Sequence, residues 1–275
     1  MPELPRQGYP PCCIIIPARF GSTRYPGKPL ARLRGAGGQT RTLIEWSWLA
    51  ARAVPGVEQL CVATDDRRIA EEVTRFGGTA IMTPPECANG TERCAAALDQ
   101  LRTDAAVIVN FQGDAPLTPP SMVAALLQRM HDEPGLAVAT PVVRCTEETR
   151  RHLLDDRAAG RVGGTTVVGS RQGHALYFSK EVIPFAQGEQ AAAVQLHIGV
   201  YAYRRAALTA YAQAPASNLE LSEGLEQLRF LDQGVAVGIV PCPAPEGLMA
   251  ELNNPHDLAP IEAELERRSP APEPA

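Results

Sequence analysis

The sequence has almost no lysine: its 26 Lys and Arg residues include only two lysines, Lys28 and Lys180. Aromatic residues are also scarce, at 5%, and no run of apolar residues is long enough to span a bilayer. The net charge of -5 and the pI near 5.6 exclude a general nucleic-acid binder, which would carry an excess of positive charge. We therefore expect a soluble cytoplasmic enzyme with no nucleic-acid or membrane partner.

Several motifs that would identify a chemistry at once are missing. The seven cysteines form no CxxC pair and no Cys/His spacing typical of zinc sites, so neither a disulfide framework nor a zinc centre is indicated. The Walker A loop, GxxxxGK[ST], and the GxGxxG fingerprint are both absent. The best-known sequence signals for nucleotide binding are thereby excluded.

Short apolar runs alternate with helical patterns through the first half of the chain. The predicted strands cover residues 12–17, 59–63, 80–82 and 105–110. The predicted helices cover residues 42–53, 66–76 and 91–101. This alternation predicts βαβ units, and hence an α/β fold with a mostly parallel sheet and helices on both faces.

The second half contains more strand-like segments and fewer helical ones. The strand predictions there cover residues 137–143, 165–169, 174–178, 198–203 and 235–240. A mixed or β-rich region should therefore begin near residue 145. Residues 218–233 are predicted to form one amphipathic helix, because leucines recur along them at helical spacing.

The loop after the first predicted strand, PARFGSTRYPGKPL over residues 17–30, is rich in hydrogen-bond donors and positive charge. Those donors and charges come, in chain order, from Arg19, Gly21, Ser22, Thr23, Arg24, Gly27 and Lys28. Open α/β sheets bind ligands at the carboxyl ends of strands, and backbone N–H groups with Arg and Lys are suited to phosphate. The loop predicts a polyphosphate site, although the residues alone also allow a solvated basic loop.

A second candidate segment, VNFQGDAP over residues 109–116, follows the fourth predicted strand. A carboxylate at a strand end beside bound phosphates is where Mg²⁺ would be held, so Asp114 is the candidate ligand. Taken alone, Asp114 could equally form an Asx turn before Pro116.

These segments resemble the motifs of a known enzyme family. PARFGSTRYPGKPL, VATDD (62–66), NGTER (89–93), VNFQGDAP, ALYFSK (175–180), LHIGVYAYR (196–204) and LEQLR (225–229) occur in the order and spacing of CMP-sugar-acid synthetases. The similarity is strongest to the cytidylyltransferases that make CMP-Kdo, where Kdo is 3-deoxy-manno-octulosonate. It implies a Rossmann-like nucleotidyltransferase fold, CTP and a small anionic acceptor as substrates, Mg²⁺ as cofactor and release of pyrophosphate.

The resemblance also implies roles for individual residues. The implied nucleotide-binding residues are Pro17, Ala18, Arg19, Gly21, Ser22, Thr23, Arg24, Lys28, Asn89, Gly90, Thr91, Gln112 and Asp114. Of these, Arg19, Lys28 and Asp114 would be catalytic, with Lys28 stabilising charge on the leaving pyrophosphate. The implied acceptor-binding residues are Arg93, Tyr177, His197, Tyr201, Glu226 and Gln227. Asp114 and Asn253 would bind the metal. His197 is equally well explained as a core residue between apolar neighbours.

The same resemblance organises the chain as a single nucleotidyltransferase domain over residues 1–268. Residues 12–145 would form its CTP-binding half, and residues 146–268 its acceptor-binding and dimer-forming half. The Pro- and Ala-rich residues 269–275 should be a disordered tail.

A homodimer is expected from the second half. Its aromatic and β-branched side chains include Tyr177, Phe178, Ile198, Tyr201 and Tyr203. In the family the equivalent strands meet across a two-fold axis, which implies the same arrangement here.

Several positions depart from the CMP-Kdo pattern. Cys87 and Asn89 stand where the family has His and Ser, and Thr166 stands where it has Lys. The family's GVDTPEDL segment appears as ELNNPHDL over residues 251–258, which places Asn253 at the position of a metal-binding Asp.

An altered acceptor side beside an intact nucleotide side predicts a smaller and more highly charged acceptor. We expect a phosphonate such as phosphonoformate, in phosphonate antibiotic biosynthesis. The alternatives are CMP-Kdo synthesis for lipopolysaccharide and a catalytically silent nucleotide-binding protein.

Overall fold

The computed structural model describes residues 10–21, 24–185 and 194–268. The predicted tail, residues 269–275, lies outside them. In chain order, the strands are β1 (Cys12–Ala18), β2 (Arg32–Arg34), β3 (Thr40–Thr42), β4 (Val57–Thr64), β5 (Thr79–Met82), β6 (Val107–Asn110), β7 (Val138–Arg144), β8 (Thr166–Gly169), β9 (Ala175–Ser179), β10 (Gln195–His197), β11 (Tyr201–Arg204) and β12 (Val237–Cys242).

The helices interleave with these strands. In chain order, they are α1 (Leu43–Arg52), α2 (Arg67–Arg75), α3 (Gly90–Leu98), α4 (Pro120–Asp132), α5 (Glu147–Ala158), α6 (Arg205–Gln213), α7 (Asn218–Glu223), α8 (Leu228–Asp232) and α9 (Leu258–Arg267). Within the described part of the chain, no helix combines the length and apolar character needed to cross a membrane.

The chain forms two compact units, one made of residues 1–124 and 245–275 and the other of residues 125–244. These bounds differ from the predicted halves at both ends. The first boundary falls inside α4, and the C-terminal segment belongs to the first unit because apolar residues near the end of the chain pack into that unit's core. The roles predicted for the two halves remain predictions.

The first unit is built on four parallel strands in the order β5-β4-β1-β6. β1 lies in the middle of this set, which explains its continuous apolar sequence: residues 12–16 are completely buried. α2 and α3 begin at side-chain caps, where Asp66 and Asn89 accept hydrogen bonds from backbone N–H groups of the first turn. The predicted βαβ pattern is confirmed here.

A second layer of the first unit joins distant parts of the chain. The antiparallel pair β2–β3 was not predicted. Its Leu33 packs with Leu43 of α1, Leu117, Leu252 and Ile261 of α9 in one buried cluster. This cluster fixes the position of the C-terminal segment that contributes to the cleft described below.

The second unit contains a mixed sheet, as predicted. β7 pairs antiparallel with β10 and β11 and parallel with β12, while β8 pairs antiparallel with β10 and β9. Beside this sheet, Tyr203 stacks on Phe230 with ring centroids 5.7 Å apart, and Phe230 contacts Tyr211 at 4.8 Å. Many of the chain's few aromatic side chains are used for this core.

The predicted helix over residues 218–233 is wrong as a single element. Gly224 adopts a left-handed conformation with φ of 62°, which ends α7, and α8 starts only at Leu228. Glycine takes this conformation readily, so it stops a helix even where leucine spacing continues the apolar stripe. The prediction also missed α4, α5, α6 and α9.

Candidate active site

The phosphate-loop candidate turns sharply after β1. Gly27 has φ of 70°, and its N–H donates to the Phe20 carbonyl over 3.0 Å. A Cβ at this position would lie 2.9 Å from the Phe20 ring, so both the backbone conformation and the space require glycine. Immediately afterwards the chain enters a single 3-10 turn, Lys28–Leu30, which presents the lysine.

Lys28 connects three segments of the first unit. Its Nζ donates to the Asp114 carboxylate and, over 3.0 Å, to the Leu252 carbonyl. The two charged side chains remain partly accessible, with 16% and 22% of their surfaces exposed. An ammonium and a carboxylate therefore meet at an accessible position, where a ligand can compete for either.

A cleft of about 320 Å³ surrounds this ion pair. Its lining comes entirely from the first unit, from the end of β1, the following loop, the start of α3, the loop after β6 and the C-terminal segment. The lining residues are Pro17, Ala18, Arg19, Arg24, Lys28, Pro29, Cys87, Ala88, Asn89, Gly90, Arg93, Gln112, Gly113, Asp114 and Asn253. The volume is that of a small-molecule site.

Two glycines allow the backbone beside the cleft to pack closely against the end of β1. A Cβ on Gly113 would lie 2.8 Å from the Pro17 carbonyl oxygen, and one on Gly90 would lie 3.3 Å from the Pro17 side chain. Gly90 is also the first residue of α3, so a backbone helix N-terminus, which favours anions, is part of the lining.

The buried residue Asn110 orients the amide of Gln112. Gln112 Nε2 donates to Asn110 Oδ1 over 3.4 Å, and Asn110 is completely buried at the end of β6. With its N–H₂ group directed this way, Gln112 has its carbonyl oxygen available as a hydrogen-bond acceptor in the cleft.

The C-terminal side of the cleft contains a linked set of polar groups. Asn253 Oδ1 accepts from an Arg24 guanidinium nitrogen over 3.3 Å, while Asn253 Nδ2 donates to Glu251 Oε2 over 3.3 Å. Burial and the negative charge of Asp114 raise the pKa of Glu251, although Lys28 and Arg24 act in the opposite direction.

Comparisons with known proteins agree on a family. Residues 13–237 match the profile of the cytidylyltransferase family. A 3-deoxy-manno-octulosonate cytidylyltransferase of Maricaulis maris is 44% identical over 227 residues, which are 82% of this chain and 86% of the relative. The Chlamydia pneumoniae enzyme of the same name is 39% identical over 253 residues, 91% of this chain and 92% of the relative.

This chain belongs to the CMP-Kdo synthetase family. A solved structure of a CMP:2-keto-3-deoxy-manno-octonic acid synthetase complexed with CTP superposes with a TM-score of 0.80 at 35% identity, covering 94% of this chain and 99% of the other. A 4-diphosphocytidyl-2C-methyl-D-erythritol synthase from Anaerococcus prevotii shares the fold alone, with a TM-score of 0.57 at 11% identity. The protein is a cytidylyltransferase, and the predicted nucleotidyltransferase fold is confirmed.

Most of the nucleotide-binding residues predicted by resemblance to CMP-Kdo synthetases line the cleft. The exceptions among the described residues are Gly21, which is exposed outside the lining, and Thr91, which is completely buried behind it. Ser22 and Thr23 lie outside the described residues.

Arg93, predicted to bind the acceptor, is already engaged inside the first unit. Its guanidinium pairs with Asp65 over 3.0 Å and donates to Thr83 Oγ1 over 2.8 Å, and only 3% of its surface is exposed. It forms part of the cleft floor, and these contacts support a structural role beside the predicted one.

The remaining predicted acceptor residues lie in the second unit, and three of them are buried: His197, Tyr201 and Gln227. The Thr140 hydroxyl lies 2.9 Å from His197 Nε2, and burial lowers the pKa of His197 to about 3. The imidazole is therefore neutral at physiological pH and provides no positive charge for an anion.

Tyr177 and Glu226 are the more accessible members of that set. The Tyr177 hydroxyl donates to Glu223 over 3.4 Å, and burial together with the Glu223 charge raises its pKa. Glu223 also accepts from Ser179 Oγ over 2.7 Å and from the Lys180 N–H over 3.0 Å. Glu223 thus organises this part of the second unit, although the sequence analysis did not single it out.

The structure shows the surroundings of two residues that depart from the family pattern. Thr166 is 1% exposed, and its Oγ1 donates to the Glu181 carbonyl over 2.6 Å and accepts from the Ile183 N–H over 3.1 Å. It stabilises a turn within the second unit. Cys87 lines the cleft, and burial raises the pKa of its thiol, which keeps it protonated at neutral pH.

Proposed function

We propose that this protein transfers CMP from CTP to Kdo and releases pyrophosphate. The observation that carries the proposal is the cleft in which Lys28 and Asp114 meet at the ends of two parallel strands. Support for the substrates comes from relatives that are 39% and 44% identical and bear the name of this activity. The CTP-complexed structure at 35% identity supports the nucleotide.

The positive charges of the cleft suit the triphosphate. Arg19 and Arg24 are exposed in the loop after β1, and Lys28 stands at its end. Three cations on one short loop can neutralise much of the charge of a nucleoside triphosphate. They can also stabilise the negative charge on the phosphates in the transition state.

The oxygen donors suit a divalent cation such as Mg²⁺. Asp114 offers a carboxylate, and the Asn253 amide also lines the cleft, with the Glu251 carboxylate beside it. Among the described residues no group of three His, Cys, Asp or Glu side chains could hold a metal by itself, so phosphate oxygens would complete the coordination. When bound, the metal would neutralise charge on the phosphates.

The residues of the chain can promote the transfer mainly by positioning and by charge. An acceptor hydroxyl oxygen bonds to the α-phosphorus and its proton passes to solvent, while the bond from that phosphorus to the bridging oxygen breaks and its electron pair leaves with pyrophosphate. Lys28 is placed to stabilise that leaving group once it exchanges Asp114 for phosphate. The loop arginines hold the β- and γ-phosphates in line.

The phosphonate acceptor, our first prediction from sequence, has no support in the comparisons. It rested on four residues that depart from the family pattern. Thr166 has a structural role, Cys87 is a neutral thiol and Asn89 caps α3. The fourth residue, Asn253, contacts Arg24 and Glu251. We therefore favour Kdo and keep phosphonoformate as the competing acceptor in the test.

The test is pyrophosphate release from CTP with Mg²⁺ and either Kdo or phosphonoformate. We expect release with Kdo to exceed release with phosphonoformate and with no acceptor, and CTP to be preferred over UTP and ATP. A preference for phosphonoformate would overturn the acceptor. Tight CTP binding without release in any mixture would instead indicate a silent nucleotide-binding protein.

We further propose that the protein is a cytoplasmic homodimer. Its seven cysteines all lie within the described residues and form no disulfide, which fits a reducing compartment. For the dimer, the aromatic residues first predicted are largely unsuitable, because Phe178, Tyr201 and Tyr203 are buried in the second unit. The exposed apolar side chains Leu176 and Leu221, at 63% and 70%, are better candidates.

A further inference from the structure

We propose that Glu251 supplies the second carboxylate of the divalent-metal site and that Asn253 positions Glu251 instead of replacing the missing aspartate. The inference rests on the proposed function, because the metal would be bound together with CTP. It assigns a role to a residue that the sequence analysis left unassigned.

The orientation of the Asn253 amide is the first argument. Its oxygen accepts from the Arg24 guanidinium, and its N–H₂ group donates to Glu251 Oε2, each over 3.3 Å. The oxygen that could coordinate a metal therefore already faces a cation. The amide connects Arg24 to Glu251, a role that aspartate could not fill because it has no N–H to donate.

The position of the segment is the second argument. The Leu252 N–H donates to the Asp114 carbonyl over 2.9 Å, so residues 251–253 are attached directly to the loop that carries Asp114. Lys28 strengthens this attachment by donating to the Leu252 carbonyl and to the Asp114 carboxylate. Asp114 lines the cleft, and the Glu251 carboxylate lies directly beside Asn253, which also lines it.

Asp257 makes this geometry rigid. Its Oδ2 accepts from the backbone N–H groups of Asn253 and Asn254, over 2.9 and 2.7 Å. The turn that presents Glu251 is therefore held from behind by a group outside the cleft lining.

The charges of the cleft are the third argument. Lys28 neutralises the Asp114 carboxylate now, but in the proposed reaction it is needed at the phosphates. A divalent cation is the natural replacement for it, since two carboxylates with phosphate oxygens are a ligand set suited to Mg²⁺.

The sequence also supports a carboxylate at position 251 in place of one at position 253. Against the GVDTPEDL pattern, this chain has lost the acidic residue at position 253 and carries one at position 251, where the pattern has glycine. Between positions 251 and 253 the number of carboxylates is unchanged and the charge has moved by two residues, while the glutamate of the pattern at position 256 is His256 here.

The experiment measures how strongly Mg²⁺ tightens the binding of α,β-methylene-CTP, a non-hydrolysable analogue, to the full-length protein. Calorimetry with and without Mg²⁺ gives two dissociation constants, and their ratio is the metal enhancement. We expect Glu251→Gln to leave metal-free binding unchanged or slightly tighter and to reduce the enhancement at least about tenfold. An unchanged enhancement in Glu251→Gln would refute the assignment.

Two further variants make the result specific. Glu266→Gln removes the same charge from an exposed position of α9 outside the cleft and should keep the full enhancement. The double variant Glu251→Gln/Asn253→Asp returns the carboxylate to position 253 and should regain most of the enhancement; no recovery would contradict the exchange of charge.

The two proposals fail in different ways. If the unmodified protein does not bind the analogue with or without Mg²⁺, the proposed function is wrong. If it binds with a clear metal enhancement that Glu251→Gln does not alter, only the role of Glu251 is wrong. Circular dichroism of each variant confirms that the comparison is made between folded proteins.

Discussion

The two units each contain an ion pair at the centre of a resemblance motif, but the pairs differ in access to water. Lys28 and Asp114 keep 16% and 22% of their side-chain surfaces exposed in the cleft of the first unit. Arg229 and Glu220, joined over 2.6 Å in the second unit, keep 3% and 10%. The first pair can exchange a partner for a ligand, whereas the second cannot.

The two shared motifs therefore have different structural roles. PARFGSTRYPGKPL forms a loop that lines an open cleft, but in LEQLR the arginine holds α7, α8 and the end of α6 together. Its guanidinium lies over the Tyr211 ring at 4.0 Å and donates to the Tyr211 and Ala214 carbonyls. A motif shared with a family can thus record packing as well as chemistry.

The largest effect should follow from breaking the buried pair. We expect Arg229→Ala to lower the free energy of unfolding by about 3–5 kcal/mol, because Glu220 would be left buried without its counter-charge. Urea denaturation provides the measurement. Arg157→Ala, which breaks the exposed pair with Glu181, should lower the unfolding free energy far less. Equal losses of unfolding free energy in the two variants would contradict the expected difference between the buried and the exposed ion pair.

The cleft pair should affect activity more than stability. We expect Lys28→Ala to lower kcat with CTP by about 10²–10³, equivalent to roughly 3–4 kcal/mol of transition-state stabilisation. Initial rates of pyrophosphate release measure this effect. Arg102→Ala, a change of an exposed charge outside the cleft, is the control and should retain the native rate. Near-native turnover in Lys28→Ala would remove Lys28 from the mechanism.

A smaller effect should appear in the pH dependence of stability, through His197 in the second unit. Its folded pKa of about 3 lies below an unfolded value of about 6.5, so the unfolded state binds the proton first. Stability contributed by the neutral imidazole is complete above about pH 6.5 and falls by about 1.4 kcal/mol per pH unit toward pH 3. Urea denaturation at several pH values should show a shallower slope for His197→Gln. The exposed His131→Gln should keep the native slope.

The smallest change in stability is expected for a variant that should change the oligomeric state of the protein. Leu221 is 70% exposed, so Leu221→Glu should alter the unfolding free energy by less than about 0.5 kcal/mol. If the exposed leucines form the dimer, light scattering should show a dimer for the native protein and a monomer for this variant. Met82→Glu, an exposed apolar position of the first unit, should remain dimeric. A monomeric native protein would exclude the homodimer.

The sequence predicted the first unit well because its signals are local. Each buried strand is a continuous apolar run, and the chemistry follows directly at the strand ends, so Lys28 and Asp114 were located from local signals, while Gln112 was implied by the family resemblance. Asn89 was also placed in the cleft, where it caps α3 by accepting from the Glu92 N–H over 2.8 Å.

The predictions failed where contacts between residues far apart in the sequence determine the structure. No sequence signal close to Glu251 indicates that its segment hydrogen-bonds to the loop of Asp114, which lies 137 positions earlier in the chain. Tyr201 and Tyr203 were expected at a surface, but they are stacked 5.8 Å apart and buried among other rings. Periodicity alone also could not reveal that Gly224 divides a leucine-rich segment into two helices.

The discontinuity of the first unit has a consequence for biosynthesis. Leu252, Ile261 and Leu265 complete its core, yet they are translated after the whole of the second unit. Domains usually fold in the order in which they are made. Here the ribosome finishes the second unit first, while the nucleotide cleft lacks a wall until the last segment emerges. In that interval the cleft lacks its Asn253 side, so binding of a ligand in the complete cleft would report that synthesis has passed residue 253.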